Sequence, residues 1–190
     1  MTILHLDSAI TGEASASREL TAAIVRELTA ANPPARVIYR DLAATPLEHL
    51  TLAAYSSEES QAALAEFQAA DTIVIGAPMY NFAVPSQLKA WIDRIAVAGA
   101  TFRYTENGSE GLSGGKRVIV AVARGGLYGA DSGQSAFEHV EQYLRAVFAF
   151  LGVTDLTFVI AEGLKVSDAA REAAIAAAHA QIARLVPLPA

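Results

Sequence analysis

Five short apolar runs recur along the chain: Ile3–Leu6, Val37–Tyr39, Thr72–Ala77, Arg117–Ala123 and Leu156–Ala161. Each is rich in Val, Ile or Leu with little alternation, the pattern of strands buried on both faces of a parallel sheet. Longer stretches with helical spacing lie between them. In Ser17–Ala31, Leu20, Ile24 and Leu28 recur at every fourth position. Glu59–Ala69 carries Ala63, Leu64 and Phe67, and Pro85–Ala98 stripes Leu88, Trp91, Ile92 and Ile95. Ser135–Leu151 does the same with Val140, Leu144, Val147, Phe148 and Leu151. A last helix runs from about Ser167, a plausible N-cap, to Leu185. Strand followed by helix, repeated through the chain, predicts an α/β fold: a doubly wound five-stranded parallel sheet with helices on both faces. No linker or repeat divides it, so residues 1–190 form one domain. The polar insertion Phe102–Gly115 breaks the rhythm with Asn107-Gly108 and Gly114-Gly115 turn signals; it reads as a functional excursion or as an ordinary surface one.

The length of 190 residues suits one domain with a self-sufficient core. Fourteen Lys+Arg against twenty Asp+Glu leave a formal charge of -6, which repels a nucleic acid backbone. Local phosphate binding by backbone N–H groups stays open. Cysteine is absent, which removes disulfides, thiol nucleophiles and thiolate metal sites and favours an intracellular, cytoplasmic protein. The N-terminal Met1–Asp7 has no basic stretch before its apolar residues, so no secretory signal is expected. The Ala-rich run from Ala169 to Val186 is broken by Arg171, Glu172, His179, Gln181 and Arg184, so it reads as an amphipathic helix and not as a membrane span. His5, His49, His139 and His179 lie on different elements without ligand spacing, so no metal is expected. His5 and Trp91 read as core residues. Arg18 could be a surface charge or a phosphate contact.

Open α/β sheets bind ligands at the carboxyl ends of their strands, where the strand order reverses. Three of those ends stand out. After the first strand, Ser8, Ser15 and Ser17 lead into a helix, with neither G-x-G-x-x-G nor a P-loop motif. A helix N-terminus with hydroxyls beside it holds a phosphate without a lysine, although one serine also reads as a simple N-cap. After the third strand, Pro78-Met79-Tyr80-Asn81-Phe82 sets aromatic, apolar and amide groups at a loop tip, with Pro85 opening the next helix. Asn81 offers a donor and an acceptor to a heterocycle edge. After the fourth strand, Arg124-Gly125-Gly126 permits close backbone approach and bare N–H groups. The second and fifth strands are followed by blander residues. Together the three loops fit a flat heterocycle with one phosphate tail, the shape of FMN.

Longer stretches resemble one family. They are S-x-S-R-E-L at Ser15–Leu20, R-D-L-A at Arg40–Ala43, A-P-M-Y-N-F at Ala77–Phe82 and Q-L-K-A-W-I-D at Gln87–Asp93. T-F-R-Y-T-E-N-G-x-E-G-L at Thr101–Leu112, R-G-G at Arg124–Gly126 and A-E-G at Ala161–Gly163 follow. Over nearly its whole length the chain resembles the FMN-dependent NAD(P)H azoreductases, also described as NAD(P)H:quinone oxidoreductases. The resemblance implies a flavodoxin-like fold, non-covalent FMN, NADH or NADPH as electron donor, and quinone or azo compounds as acceptors. It implies two half-reactions in ping-pong order, with the chemistry at the flavin N5 and no side chain assigned as acid or base. It places the phosphate on Ser8, Ser15, Ala16 and Ser17. The ring would meet Pro78, Met79, Tyr80, Asn81 and Phe82 on one side and Ala123, Arg124, Gly125 and Gly126 on the other. The Gly125 and Gly126 N–H groups are the natural donors to the flavin's N1–O2 edge. Members are homodimers, and Phe102, Tyr104 and Tyr128 would wall the substrate space, the first two near the partner's flavin. Two positions depart from the family: Ala123 stands where a hydroxyl residue is usual, and Tyr128 where His is frequent. The segment between Pro46 and Asp71 is also shorter than usual. A flavodoxin-type one-electron carrier is the alternative. A response-regulator-like switch would need an acidic cluster, and Asp7 stands alone at its strand end.

Overall fold

The computed structural model describes residues 1–185. Seven strands and five helices follow one another. They are β1 Thr2–Asp7, α1 Ala16–Ala31, β2 Arg36–Asp41, α2 Glu58–Ala69, β3 Thr72–Pro78 and α3 Ser86–Ile95. After these come β4 Phe102–Thr105, β5 Gly108–Gly111, β6 Arg117–Ala123, α4 Val140–Phe150, β7 Asp155–Ala161 and α5 Asp168–Ile182. Val186, the end of the Ala-rich run, lies outside the described residues, as do the positions of the expected single domain beyond it.

Five strands build one parallel sheet in the order β2-β1-β3-β6-β7. Counted along the sheet strands alone, this is 2-1-3-4-5, the flavodoxin-like winding, and the order reverses between β1 and β3. Alternate side chains go to opposite faces. Ile3, Val74, Ile119 and Val159 pack with Leu20, Ile24 and Leu28 of α1 and with Ala178 and Ile182 of α5. Leu4, Ile73, Val118 and Val120 pack on the other face with Phe67 of α2, Leu88 and Trp91 of α3, and Leu144 and Phe148 of α4. The α3 stripe is fully used, and Trp91 and Ile95 are both at 0% exposure. Truncating Trp91 to Ala would therefore cost about 3–5 kcal/mol.

Two expectations are corrected. The second run is a sheet edge and not a strand buried on both faces: no strand pairs beyond β2 among the described residues, and at that rim Val37 and Tyr39 are exposed. The fourth helix starts at Val140, after a short 3-10 turn at Ser135–Phe137, because Glu138 caps it with both carboxylate oxygens. The insertion is a β-hairpin, with Phe102 opposite Gly111 and Thr105 opposite Gly108. Its base is pressed onto the end of α4. A β-carbon at Gly111 would coincide with the backbone of Leu151 and Gly152, and Gly152 takes φ 88° there. Ser113 N–H donates to the Leu151 carbonyl at 2.8 Å, which closes the joint.

Candidate active site

A cavity of about 430 Å³ opens at the carboxyl ends of β1, β3 and β6. Its floor begins at α1. Ser15 caps that helix, its Oγ accepting from the Arg18 N–H at 3.3 Å and lying 3.0 Å from the Ser17 Oγ. The Ala16 and Ser17 N–H groups, at the helix start, have no partner among the described residues. Sixteen residues of α1 dipole stand behind them.

A charge network fixes the approach to this cradle. Asp7 ends β1 opposite Gly76, where a β-carbon would come within 2.8 Å of the Asp7 carboxylate. The carboxylate accepts from Thr21 Oγ1 at 2.8 Å and from the Tyr39 hydroxyl at 3.1 Å. Arg18 forks onto Asp41 with two bonds of 2.7 Å and donates to the Ala9 carbonyl at 3.0 Å. That hydrogen bond from Arg18, with the Ala44 and Ala43 N–H groups, holds the Asp41 carboxyl down at about 2. It raises the Arg18 guanidinium in turn. Burial, then Asp7, pushes the Tyr39 phenol up, so it remains a proton donor at neutral pH. Arg18 is thus a structural tie between α1, β2 and the first loop.

The second wall is a two-residue turn. Tyr80 and Ala83 exchange both backbone hydrogen bonds at 3.1 Å, with Asn81 and Phe82 between them at φ 48° and 74°. Both central residues at positive φ make a type I′ turn, which tolerates Asn but strains Phe. The Tyr80 hydroxyl accepts from the Ile10 N–H at 3.2 Å and so joins this turn to the first loop. Phe82 lies with its ring centroid 5.1 Å from Phe137 and 6.1 Å from Tyr128.

The third wall continues the sheet. Beyond β6 and β7 the chains stay knitted: Leu164 N–H donates to the Arg124 carbonyl, Lys165 N–H to Gly125 and Gly163 N–H to Gly126, at 3.1, 2.9 and 2.8 Å. In a trans peptide the carbonyl and the following N–H point opposite ways. The Gly125 and Gly126 N–H groups therefore point away from the 163–165 loop, and neither has a partner among the described residues. Unpaired N–H groups beside a cavity are sites for an acceptor.

Ser15, Ala16, the whole Pro78–Phe82 loop, the Ala123–Gly126 loop and Tyr128 are brought together along this one cavity. Ser8 and Ser17 stand behind it. Ser8 is 1% exposed and donates to the Gly76 carbonyl at 2.6 Å. Ser17 is fully buried and meets Ser15. Phe102 and Tyr104 lie apart on the hairpin, Phe102 packed 4.6 Å from Phe150 and Tyr104 exposed. The fifth strand end is less bland than its sequence suggests: Leu164, Lys165 and Arg171 also line the cavity. The A-E-G stretch at the end of β7 was the available signal for it. Unpaired N–H groups at one end, a polar-aromatic turn and two bare glycines at the other fit a flat heterocycle carrying a phosphate.

Known proteins share this fold. The profile of a family described as the flavodoxin-like fold matches residues 1–186. An FMN-dependent NADH:quinone oxidoreductase 2 of Bradyrhizobium diazoefficiens is 54% identical over 192 residues, covering 94% of this chain and 95% of the relative. An FMN-dependent NADH:quinone oxidoreductase of Rhizobium meliloti is 53% identical, covering 96% of each chain. Among solved structures, an FMN-dependent NADH-azoreductase from Bacillus anthracis in complex with FMN superposes with a TM-score of 0.86 at 26% identity, covering 98% of this chain and 100% of that one. The chain belongs to the flavodoxin-like fold family, alongside its FMN-dependent NADH:quinone oxidoreductases and azoreductases.

Proposed function

We propose that this protein is an FMN-dependent NADH:quinone oxidoreductase that also accepts azo compounds and works by two half-reactions in one space. The observation that carries the reading is the pair of unpaired N–H groups of Gly125 and Gly126, residues that line the cavity shared by the Asn81–Phe82 turn and the α1 terminus. When bound there, FMN supplies the hydride chemistry between nicotinamide and acceptor. The chain's own residues hold and orient. Ser15 and the α1 N–H groups take the phosphate, Asn81 meets the heterocycle edge, and Gly125 and Gly126 donate to the edge where negative charge develops. Tyr128, set edge-to-face with Phe82, walls the substrate side and can donate but not become cationic.

The site is completed by a second copy of the chain. Tyr104 projects 76% exposed from a hairpin remote from its own cavity, which supports a role in covering a partner's. No helix among the described residues is long and apolar enough to cross a membrane. The test is NADH oxidation by the purified protein with added FMN, first without an acceptor and then with a quinone or an azo dye added after the nicotinamide is exhausted. Two separable phases support the reading. Turnover only in a ternary mixture would refute the ping-pong order, and loss of NADH oxidation altogether would refute the enzyme.

A further inference from the structure

Arg124 is the residue of the R-G-G loop with the least access to anything outside the protein. Its side chain is 1% exposed, and its guanidinium faces three carboxylates. Nη2 lies 3.0 Å from Glu138 and pairs with Glu141, and Nη1 reaches Glu162 at 3.4 Å. A buried guanidinium is retained at a desolvation cost, so its partners need a reason. Glu138 is already the cap of α4, accepting from the Val140 and Glu141 N–H groups at 2.9 and 3.0 Å. Glu162 is different. Its Oε2 accepts from Arg124 and also from the Tyr128 N–H at 3.0 Å. One oxygen therefore ties both ends of the loop 124–128. Gly129 leaves room for that carboxylate, since a β-carbon there would stand 3.2 Å from its Oε1.

We infer that Arg124 and Glu162 are positioning residues: their ion pair, with the Tyr128 N–H on the same oxygen, aims the Gly125 and Gly126 N–H groups into the cavity. The knitted carbonyls of 124–126 set the peptide planes, and the Glu162 chord stops the loop from rolling about them. The claim rests on the FMN reading above for what the N–H groups meet. It assigns no contact between the Arg124 guanidinium and that ligand.

Removing Arg124 would leave three carboxylates together and risk the fold, so the informative changes are at Glu162, whose side chain is partly exposed. Glu162→Gln and Glu162→Ala remove the same charge, but Gln keeps an acceptor for both donors. In the full chain without added FMN, amide hydrogen exchange at Tyr128 should quicken by about tenfold in E162A and stay near the unaltered rate in E162Q, the scale of one lost charge-assisted bond. With FMN added, E162A should bind reduced relative to oxidised flavin about tenfold less well than E162Q, a midpoint potential lower by about 30 mV for a two-electron couple. Gly129→Ala, which displaces the carboxylate and keeps it, should shift both readouts in the same direction by less. Equal exchange in E162A and E162Q would overturn the clasp. Unequal exchange with equal potentials would overturn the aiming role while FMN binding stands. Failure of the unaltered protein to bind FMN would bring down the functional reading and this role together.

Discussion

Asn81 and Phe82 sit side by side in the left-handed region, at φ 48° and 74°, and close a turn whose flanks, Tyr80 and Ala83, are fully hydrogen-bonded to each other. Asn accommodates that conformation through its short polar side chain; Phe does not, and the strain is of order 1 kcal/mol. Phe82 is held there by Phe137 and Tyr128 and by the His139 N–H, which donates to its carbonyl at 3.1 Å.

Phe82→Gly should therefore separate stability from binding. Relief of the positive φ should offset much of the lost ring contact, leaving thermal stability within about 1 kcal/mol of the parent. FMN affinity should fall, because the ring no longer covers the cavity wall. Thermal melting and a flavin fluorescence titration read the two effects independently. A collapse of both together would show that the ring is a core residue instead.

Asn81→Gly keeps the turn and deletes the amide. Loss of its bond to the heterocycle edge should weaken FMN by about 1–3 kcal/mol and slow flavin reduction by NADH. Unchanged affinity and unchanged NADH oxidation would remove Asn81 from the site.

Replacing Ser15 and Ser17 by Ala together should weaken FMN more than riboflavin, which lacks the phosphate. The same change deletes the α1 cap, worth about 1 kcal/mol of stability. A calorimetric comparison of the two flavins decides: equal weakening would mean that the phosphate lies elsewhere.

Asp41 predicts an acid limb. Its carboxyl titrates at about 2 in the fold against an ordinary 3.8, so the folded state holds fewer protons than the unfolded chain between those values. The associated stability is fully present above about pH 4 and drains away as pH falls toward 2. Screening at the sheet edge keeps it to about 1 kcal/mol. Urea midpoints from pH 6 to pH 2 should fall less steeply in Asp41→Asn than in the parent.

Dilution tests the shared site. If Tyr104 covers a partner's cavity, activity and the sedimenting species should fall together as concentration is lowered, and Tyr104→Ala should raise KM for bulky acceptors more than it changes FMN affinity. A fully active single chain would refute the shared site and leave the cofactor assignment untouched.

Much of this architecture is legible in the sequence because parallel strands and amphipathic helices carry their burial in their composition. The uniform runs at Thr72–Ala77 and Arg117–Ala123 are strands buried on both faces for that reason. Val37–Tyr39 has the same look yet lies at an edge, since apolar content does not report how many neighbours a strand has. The three loops follow from strand ends and turn residues. Side-chain direction does not: Ser8 turns inward to the Gly76 carbonyl, and Arg124 turns to three acids contributed by distant segments. Lys165 and Arg171 come to the cavity from the segment between β7 and α5 and the first turn of α5, for which the short A-E-G stretch is the one local signal.

The glycine joint at Gly111 and Gly152 has a mechanical consequence. With no side chain between the two backbones, the hairpin has no soft layer on which to rock, and it travels with α4 or stays still. Its base is a fixed mount. A substrate space walled by Phe102, which packs beside that base, would have a set outline, so discrimination among acceptors there would operate by shape and not by closure.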